Sequence, residues 1–221
     1  PIYPDDQEET VKAARALKNN SRVSGFINRY LCKDGSYKYI EWQSAPPLNN
    51  TIYSTARDIT AQKQASLLQQ YTILRYEALQ KISTYQAKSE PELLNVLLEE
   101  ALRLLRCTSG YVFFANEAGT KLSLSACKTA HGSCNCSPEA YQQNPLLLQI
   151  LASEKVQIFN DTHQLHEQNL CFDPDESMEN LMILPVRDQD IPFAIVCVGN
   201  KATPFDENDQ LQLQLFTKSG L

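Results

Sequence analysis

Residues 60–88 read TAQKQASLLQQYTILRYEALQKISTYQAK, a stretch that contains no Gly or Pro and is rich in residues that favour a helix. Its apolar side chains recur with a period close to 3.5 residues, which is typical of the contact seam of a coiled coil. The seam positions are Leu67, Tyr71, Leu74, Ala78 and Tyr85, with Lys81 at the remaining position. The pattern predicts a connecting helix, over residues 62–88, that pairs with a second copy of the chain.

Sequence of a different character flanks this helix on both sides. Short alternating runs typical of strands precede it, and a longer mixture of strands and helices follows it. We therefore expect two independent bodies joined by a helix that carries conformation from one to the other. The alternative is an amphipathic helix that packs on its own domain, because three heptads are the minimum for a coiled-coil assignment.

Composition excludes several classes of function. The chain has 221 residues, a net charge of -6 and 43% hydrophobic residues. An acidic chain is not attracted to nucleic acid or to an anionic membrane, so neither is an expected partner. Basic residues outnumber acidic ones in residues 1–63 and the balance reverses afterwards, which favours two domains with different surfaces.

The sequence predicts a cytoplasmic location. No apolar run approaches the length of a membrane span, and the N-terminus does not resemble a signal peptide. The seven cysteines are scattered and odd in number, which favours reduced thiols over a disulfide framework. Since the chain begins without Met and ends just after a helix has begun, we expect a piece of a longer protein.

Three strands form the expected N-terminal sheet, at residues 25–32, 37–44 and 52–59. The first two strands are joined through Asp34-Gly35, a tight hairpin turn in which Gly accepts a positive φ. Three motifs follow one another along this region: Pro4-Asp5-Asp6, Phe26-x-x-Arg29-Tyr30-x-x-Lys33-Asp34-Gly35-Ser36-Tyr37 and Arg57-Asp58-Ile59-Thr60. Together they resemble the C-terminal half of a PAS domain over residues 1–61. The resemblance implies that any haem, flavin or small-molecule site of that domain would precede Pro1.

The end of this region is the expected signalling junction, Arg57, Asp58, Ile59 and Thr60. Thr60 is suited to cap the connecting helix, while Ile59 stays in the sheet. Arg57 and Asp58 are expected to anchor the junction by pairing with each other or with the hairpin. The alternative is two solvated charges, because exposed ion pairs contribute little.

The C-terminal region alternates helices and strands. Helices are expected at residues 89–105, at 138–152 with a break at Pro145, and after Asp206, where Leu211 and Leu215 face the core. Residues 163–178 have few apolar positions and are expected to form a loop with at most a short helix. The expected strands span residues 111–115, 122–126, 156–159, 181–186 and 193–199.

Motifs near the C-terminus carry a second resemblance. They are Leu184-Pro185-Val186, then Ile195-Val196-Cys197-Val198-Gly199-Asn200-Lys201, then Phe205-Asp206-x-x-Asp209. With the order of elements, these motifs resemble a GAF domain over residues 89–221, whose last helix is expected to be truncated. The resemblance implies a central antiparallel sheet flanked by helices.

Asn200, Lys201, Phe205 and Asp209 are similar to a set found in cyclic-nucleotide-binding GAF domains, with Gln210 where those members carry Glu. We favour a structural role over nucleotide contact. Lys201 is expected to pair with Asp209 and so tie a strand end to the final helix, which requires no ligand.

One cluster is rich in metal-ligating side chains: Cys127, His131, Cys134 and Cys136, followed by His163, His166 and Cys171. Such groups can bind zinc or iron, or hold a haem or a bilin. The spacing is irregular and lacks Cys-x-x-Cys, so the favoured interpretation is a set of small apolar thiols without a metal. Oxidation of Cys134 with Cys136 is the redox alternative.

No catalytic signature is present in the sequence. It contains no glycine-rich phosphate loop, zinc-hydrolase pair or nucleophile elbow, so the chain is not expected to be an enzyme. Residues 173–176, Asp-Pro-Asp-Glu, have the composition of a cation site but lack its central Gly, which favours a solvated turn.

The complete sequence predicts an α+β chain: a PAS remnant, a dimerising helix and a GAF domain. Its resemblance is to bacterial sensor histidine kinases and diguanylate cyclases, with the output domain outside this sequence. We expect a small molecule, of unknown identity, to bind over the GAF sheet beneath residues 126–152 and 163–178. The alternative is an architectural dimerisation module without a ligand. The expected pocket residues are Tyr111, Phe113, Cys127, Phe159 and Met182.

Overall fold

A computed structural model describes residues 1–19, 21–48, 51–132, 134–153, 155–170, 172–189 and 191–220. The chain divides into two compact units, residues 1–70 and 71–221. Each unit combines helices with an antiparallel sheet, so the predicted α+β class is confirmed. In the described part of the chain, no helix is both long enough and apolar enough to cross a membrane.

The N-terminal unit contains a three-stranded meander. A short 3-10 turn at Pro4–Asp6 leads into α1, Gln7–Lys18. The strands are β1, Val23–Leu31, β2, Tyr37–Ser44, and β3, Ser54–Asp58, and they lie in the order β1-β2-β3. Each neighbouring pair is antiparallel, as the alternating sequence predicts.

Polar contacts fix the start of the chain onto this sheet. The guanidinium of Arg29 donates to both carboxylate oxygens of Asp6, at 2.9 and 2.7 Å. On the other side of the strand, the buried Asn28 donates to Thr10 of α1 at 3.0 Å and accepts from Trp42 at 2.9 Å. Two of the motifs that resemble a PAS domain therefore contact each other directly.

The junction with the next helix is built on Asp58. Its Oδ1 accepts from the backbone N–H of Thr60 at 3.0 Å, and its Oδ2 pairs with Lys38 of β2 at 2.8 Å. These two partners lower the pKa of the Asp58 carboxyl. Asp58 therefore contacts the hairpin strand, and it is Asp58, rather than Thr60, whose side chain caps the helix.

The remaining junction residues hold the end of the sheet. Thr60 accepts from the backbone N–H of Tyr39 at 2.9 Å, so its hydroxyl bonds β2 instead of the helix. Ile59 is buried, with an exposed fraction of 7%. Arg57 lies opposite Glu41 in the register of β2 and β3. Of the two expected pairings, the one with the hairpin is found for Asp58, whose partner is Lys38 of β2.

The C-terminal unit has a five-stranded antiparallel sheet in the order β5-β4-β8-β7-β6. Its strands are β4, Cys107–Ala115, β5, Leu122–Lys128, β6, Gln157–Phe159, β7, Leu181–Asp188, and β8, Ile191–Lys201. Five helices surround the sheet: α3, Glu90–Leu105, α4, Pro138–Tyr141, α5, Pro145–Ala152, α6, Thr162–Glu167, and α7, Glu207–Gly220. The break expected at Pro145 separates α4 from α5.

The sheet divides the apolar interior of this unit into two cores. We call the core against α3 and α7 the helical core, and the core against α4, α5 and α6 the loop core. Neighbouring residues of β8 alternate between them, since Val196 lies in the helical core and Cys197 in the loop core. A side chain's position along its strand therefore decides which core it enters.

Close packing of α3 on the sheet depends on Gly110. A Cβ atom there would lie 2.7 Å from Cδ1 of Leu98 and 3.2 Å from the carbonyl oxygen of Cys197. These distances leave no room for a side chain, because α3 lies on one side and β8 on the other. At the start of α3, the side chain of Ser89 accepts from the backbone N–H of Glu92, so Ser89 is the N-cap of the helix.

The connecting helix, α2, spans Thr60–Thr84. Its second half packs on the helical core: Ala78 is fully buried, and Tyr71, Leu74, Leu79 and Ile82 lie against the same core. Three of the predicted seam positions, Tyr71, Leu74 and Ala78, therefore face their own domain. The prediction that this seam faces a second copy is wrong for these residues, because the domain buries the same stripe.

The final helix presents a different face from the predicted one. Leu213 and Phe216 of α7 are buried, whereas Leu211 and Leu215 have exposed fractions of 44% and 37%. Asp209 is fully buried and paired with Lys201, which fixes the rotation of the first turn. Positions three or four residues apart then face the domain, and Leu211 and Leu215 face away.

Candidate functional site

Aromatic side chains fill the loop core where a ligand was expected. Tyr111 and Phe113 of β4 are both fully buried. The ring of Phe172 packs edge-on against them, with centroid distances of 5.1 and 5.3 Å. Tyr141 of α4 lies 5.0 Å from Phe113 on another side. The expected pocket floor is therefore covered by side chains of the domain itself.

The other expected pocket residues do not lie together. Cys127 and Phe159 are partly buried against the loop core, on β5 and β6, which are the opposite edge strands of the sheet. Met182 is fully buried in the helical core, on the opposite face of the sheet, so its assignment to the pocket is wrong. Its neighbours Leu181 and Ile183 are the residues of β7 that enter the loop core.

A buried carboxylate, that of Glu176, lies beside the aromatic side chains of the loop core. Glu176 has an exposed fraction of 7% and accepts from the hydroxyl of Tyr111 at 2.8 Å. It also accepts from the hydroxyl of Ser109 and from the backbone N–H of Ala130. Burial, the bond to Glu176 and the charge of Glu176 raise the pKa of Tyr111. Tyr111 therefore remains a hydrogen-bond donor to this carboxylate.

Sequence reasoning missed this site because residues 173–176 were interpreted as a solvated turn. The carboxylates of Asp173 and Glu176 are instead buried, with exposed fractions of 3% and 7%. Apolar residues on both sides of the turn, Phe172 and Met178, are anchored in the loop core. They were the available signal that this turn is held inward.

The motif at the end of β8 has the arrangement of a structural clamp. Lys201 pairs with Asp209 of α7 at 2.5 Å, and its ammonium lies 5.7 Å from the centre of the Phe205 ring. Burial raises the pKa of the Asp209 carboxyl, while the bond from Lys201 opposes that shift. Asn200 has a φ of 56° and donates to the carbonyl of Ser177 at 2.9 Å. These residues tie β8 to α7 and to the loop before β7.

Comparison with known families gives the identity of this unit. Residues 87–219 match the family model described as the GAF domain. The chain belongs to the GAF domain family. The predicted GAF architecture is therefore confirmed for the C-terminal unit.

One similar protein is the methyl sulfide methyltransferase-associated sensor of Methanosarcina acetivorans. It is 28% identical over 171 residues, a match that covers 75% of this chain and 17% of the sensor. This chain therefore corresponds to a small part of that protein.

Two solved structures share the fold. The GAF domain of the Acinetobacter phosphoenolpyruvate-protein phosphotransferase has a TM-score of 0.53 and 15% identity, covering 67% of this chain and 87% of that one. The chromophore-binding domain of a Stigmatella aurantiaca bacteriophytochrome has a TM-score of 0.52 and 9% identity, covering 97% and 78%. At sequence identities of 15% and 9%, these comparisons show similarity of fold alone.

Three cysteines of the GAF domain converge beside the buried carboxylates. Cys127 and Cys134 form a disulfide, and the thiol sulfur of Cys136 lies 2.9 Å from that of Cys134. The favoured interpretation of reduced thiols is therefore wrong for Cys127 and Cys134, and the disulfide is not the Cys134–Cys136 pair of the redox alternative. Burial and the charges of Asp173 and Glu176 raise the pKa of Cys136 to about 12.

The histidines of the predicted cluster do not join these cysteines. His131 is exposed, and among the residues described no histidine nitrogen belongs to the group that the three sulfur atoms form. His163 is exposed on α6, and its Nδ1 lies 3.4 Å from Oε1 of Glu167. His166 is also exposed. Cys171 falls outside the described residues.

We predict that Tyr111→Phe lowers the free energy of unfolding of the GAF domain by about 2 kcal/mol, because a buried carboxylate loses a charge-assisted hydrogen bond. Urea denaturation followed by circular dichroism measures the change. Tyr53→Phe is the matched control, since Tyr53 is 63% exposed and lies in the N-terminal unit. Equal stability of the two variants would show that the Tyr111–Glu176 bond contributes nothing.

Proposed function

We propose that this chain is a sensory input fragment of a signal-transduction protein. Its membership of the GAF family and its similarity to a protein named as a sensor support this proposal. In the proposal the N-terminal unit is the end of a PAS domain, and α2 and α7 carry conformation toward an output domain. A histidine kinase or a diguanylate cyclase is the output class that fits this arrangement.

The docking of α2 on the GAF domain is the observation that carries the proposal. Arg75 of α2 donates to Gln212 of α7 at 2.7 Å, and Lys81 pairs with Glu100 of α3 at 2.6 Å. Gln212 and Glu100 are buried, with exposed fractions of 0% and 2%. Because buried polar groups are costly to leave without partners, a displaced α2 moves α3 and α7 with it or breaks these bonds.

Arg75→Met tests this coupling, since it keeps a long apolar stem and removes the donor. We expect the backbone amides of α7 around Gln212 to exchange hydrogen at least about tenfold faster, because a charge-assisted bond contributes about 1.5 kcal/mol or more. Hydrogen–deuterium exchange with mass spectrometry measures the effect. Lys63→Met removes a cation at an exposed position of α2 and is the control. Unchanged amide exchange rates in α7 of the Arg75 variant would contradict the proposed relay.

A homodimer is part of the proposal, but the contact face differs from the predicted seam. Exposed apolar side chains remain on the outer faces of α2 and α7: Ile73, Tyr76, Leu211 and Leu215. An open cleft of about 500 Å³ is lined by Tyr76, Leu79 and Ile82 of α2 and by Ser219 of α7. Apolar patches of this kind mark interaction sites, and a two-fold axis would place α2 against the α2 of a second copy.

The dimer is tested by Tyr76→Lys, which introduces a charge at the most exposed of these apolar side chains. We expect the wild-type chain to have the mass of a dimer in light scattering and the variant to have that of a monomer. Tyr53→Lys alters a tyrosine of similar exposure, 63%, on the N-terminal unit and serves as control. A monomeric wild-type chain at high concentration would contradict the proposed pairing.

The second candidate function is an architectural module without a ligand. The closed aromatic packing of Tyr111, Phe113 and Phe172 favours it, because no open pocket is needed to explain these side chains. In the sensory proposal a small molecule enters at the edge of the loop core beside Cys127, the register partner of Tyr111, and displaces the ring of Phe172. The two candidates thus differ in whether Phe172 moves.

A further inference from the structure

Three cysteine sulfur atoms of the GAF domain lie close enough together to share one ion. The sulfur atoms of Cys127, Cys134 and Cys136 are all within 4.8 Å of one another. Cys127 lies on β5, while the other two belong to the segment before α4. Residues from separate parts of the chain thus meet at a single point beside the loop core.

The segment that carries two of these cysteines is held by hydrogen bonds to the buried turn. The backbone N–H of Asn135 donates to Asp173 at 3.0 Å, and its side-chain amide donates to Asp175 at 2.7 Å. Asn135 lies between Cys134 and Cys136, so these bonds fix both thiols relative to the sheet. Asn135 is therefore a positioning residue for the cluster.

The surroundings of the cluster are negatively charged. Asp173 and Glu176 are buried, and within the described parts of the chain neither forms a salt bridge. Hydrogen-bond donors satisfy both groups: Tyr111, Ser109 and the backbone N–H of Ala130 donate to Glu176, and the backbone N–H of Asn135 donates to Asp173. Their negative charge would still attract a divalent cation to the thiols.

The spacing of the sulfur atoms suits a thiophilic cation once the disulfide is reduced. Zinc–thiolate bonds of about 2.3 Å at tetrahedral angles place sulfur atoms roughly 3.8 Å apart. Cys134 and Cys136 are separated by 2.9 Å, so less than about 1 Å of movement brings them to that distance. Three thiolate ligands leave a fourth position for water or another small ligand.

We propose that reduced Cys127, Cys134 and Cys136 bind one thiophilic divalent cation, such as Zn²⁺, and that formation of the Cys127–Cys134 disulfide releases it. With hydrogen peroxide as oxidant, the Cys134 sulfur attacks one peroxide oxygen and gives a sulfenic acid and water. The Cys127 sulfur then displaces the hydroxyl, which leaves as a second water. Two thiols lose two electrons and two protons, and one ligand sulfur remains for the cation.

A titration of the reduced full chain with Cd²⁺ tests the proposal, because cadmium–thiolate bonds absorb in the ultraviolet. We expect one tightly bound ion per chain in the reduced protein and none after peroxide treatment. Cys136→Ser and Cys134→Ser should each weaken binding by more than about tenfold, since loss of a direct ligand exceeds loss of an outer partner. Circular dichroism identifies any variant that fails to fold.

Cys32→Ser is the matched control, because Cys32 is also partly buried but lies in the N-terminal unit. It should bind Cd²⁺ like the wild-type chain. The proposal is overturned if the reduced wild-type chain shows no cadmium–thiolate absorption. It is equally overturned if both folded serine variants at positions 134 and 136 retain full affinity, or if the oxidised protein binds as tightly as the reduced one.

Discussion

The burial of Ala78 is the constraint on which the rest of the arrangement depends. Its side chain is fully buried in the helical core, so the second half of α2 belongs to the GAF domain and is not a free spacer. Tyr71, Leu74, Leu79 and Ile82 of the same helix pack against this core. Arg75 and Lys81, on either side of Ala78, then reach their buried partners. In the proposed function, movement of α2 reaches the domain through these contacts.

The two cores give the two faces of the GAF sheet different properties. The helical core joins α2, α3 and α7 through apolar packing and through buried polar bonds, which suits it to transmit movement. The loop core ends in carboxylates and thiols, which suits it to chemistry with a cation or an oxidant. Tyr111 links the loop core to Glu176, and Val112, the next residue, enters the helical core. The thiols and the second half of α2 therefore lie on opposite faces of the sheet.

Local signals in the sequence were sufficient for the elements but not for which face each residue presents. The Asp34-Gly35 turn and the Ser89 cap depend on neighbouring residues and were predictable. The side of the sheet on which Met182 lies was not predictable. Because β7 is buried on both faces, its sequence does not show which side chains enter which core. The site around Glu176 depends on contacts between distant segments, from Ser109 to Asn200. Cysteine spacing alone likewise could not show that Cys127, Cys134 and Cys136 meet.

Native-state hydrogen exchange of the full chain, resolved for single amides, tests most directly whether α2 is part of the GAF domain. The account predicts that amides of residues 74–84 open only with global unfolding of the domain, with the same free energy as α3. Amides of residues 64–70 should exchange faster, because no described residue of the first half of α2 is buried. Equal and rapid exchange along the whole of α2 would contradict the account.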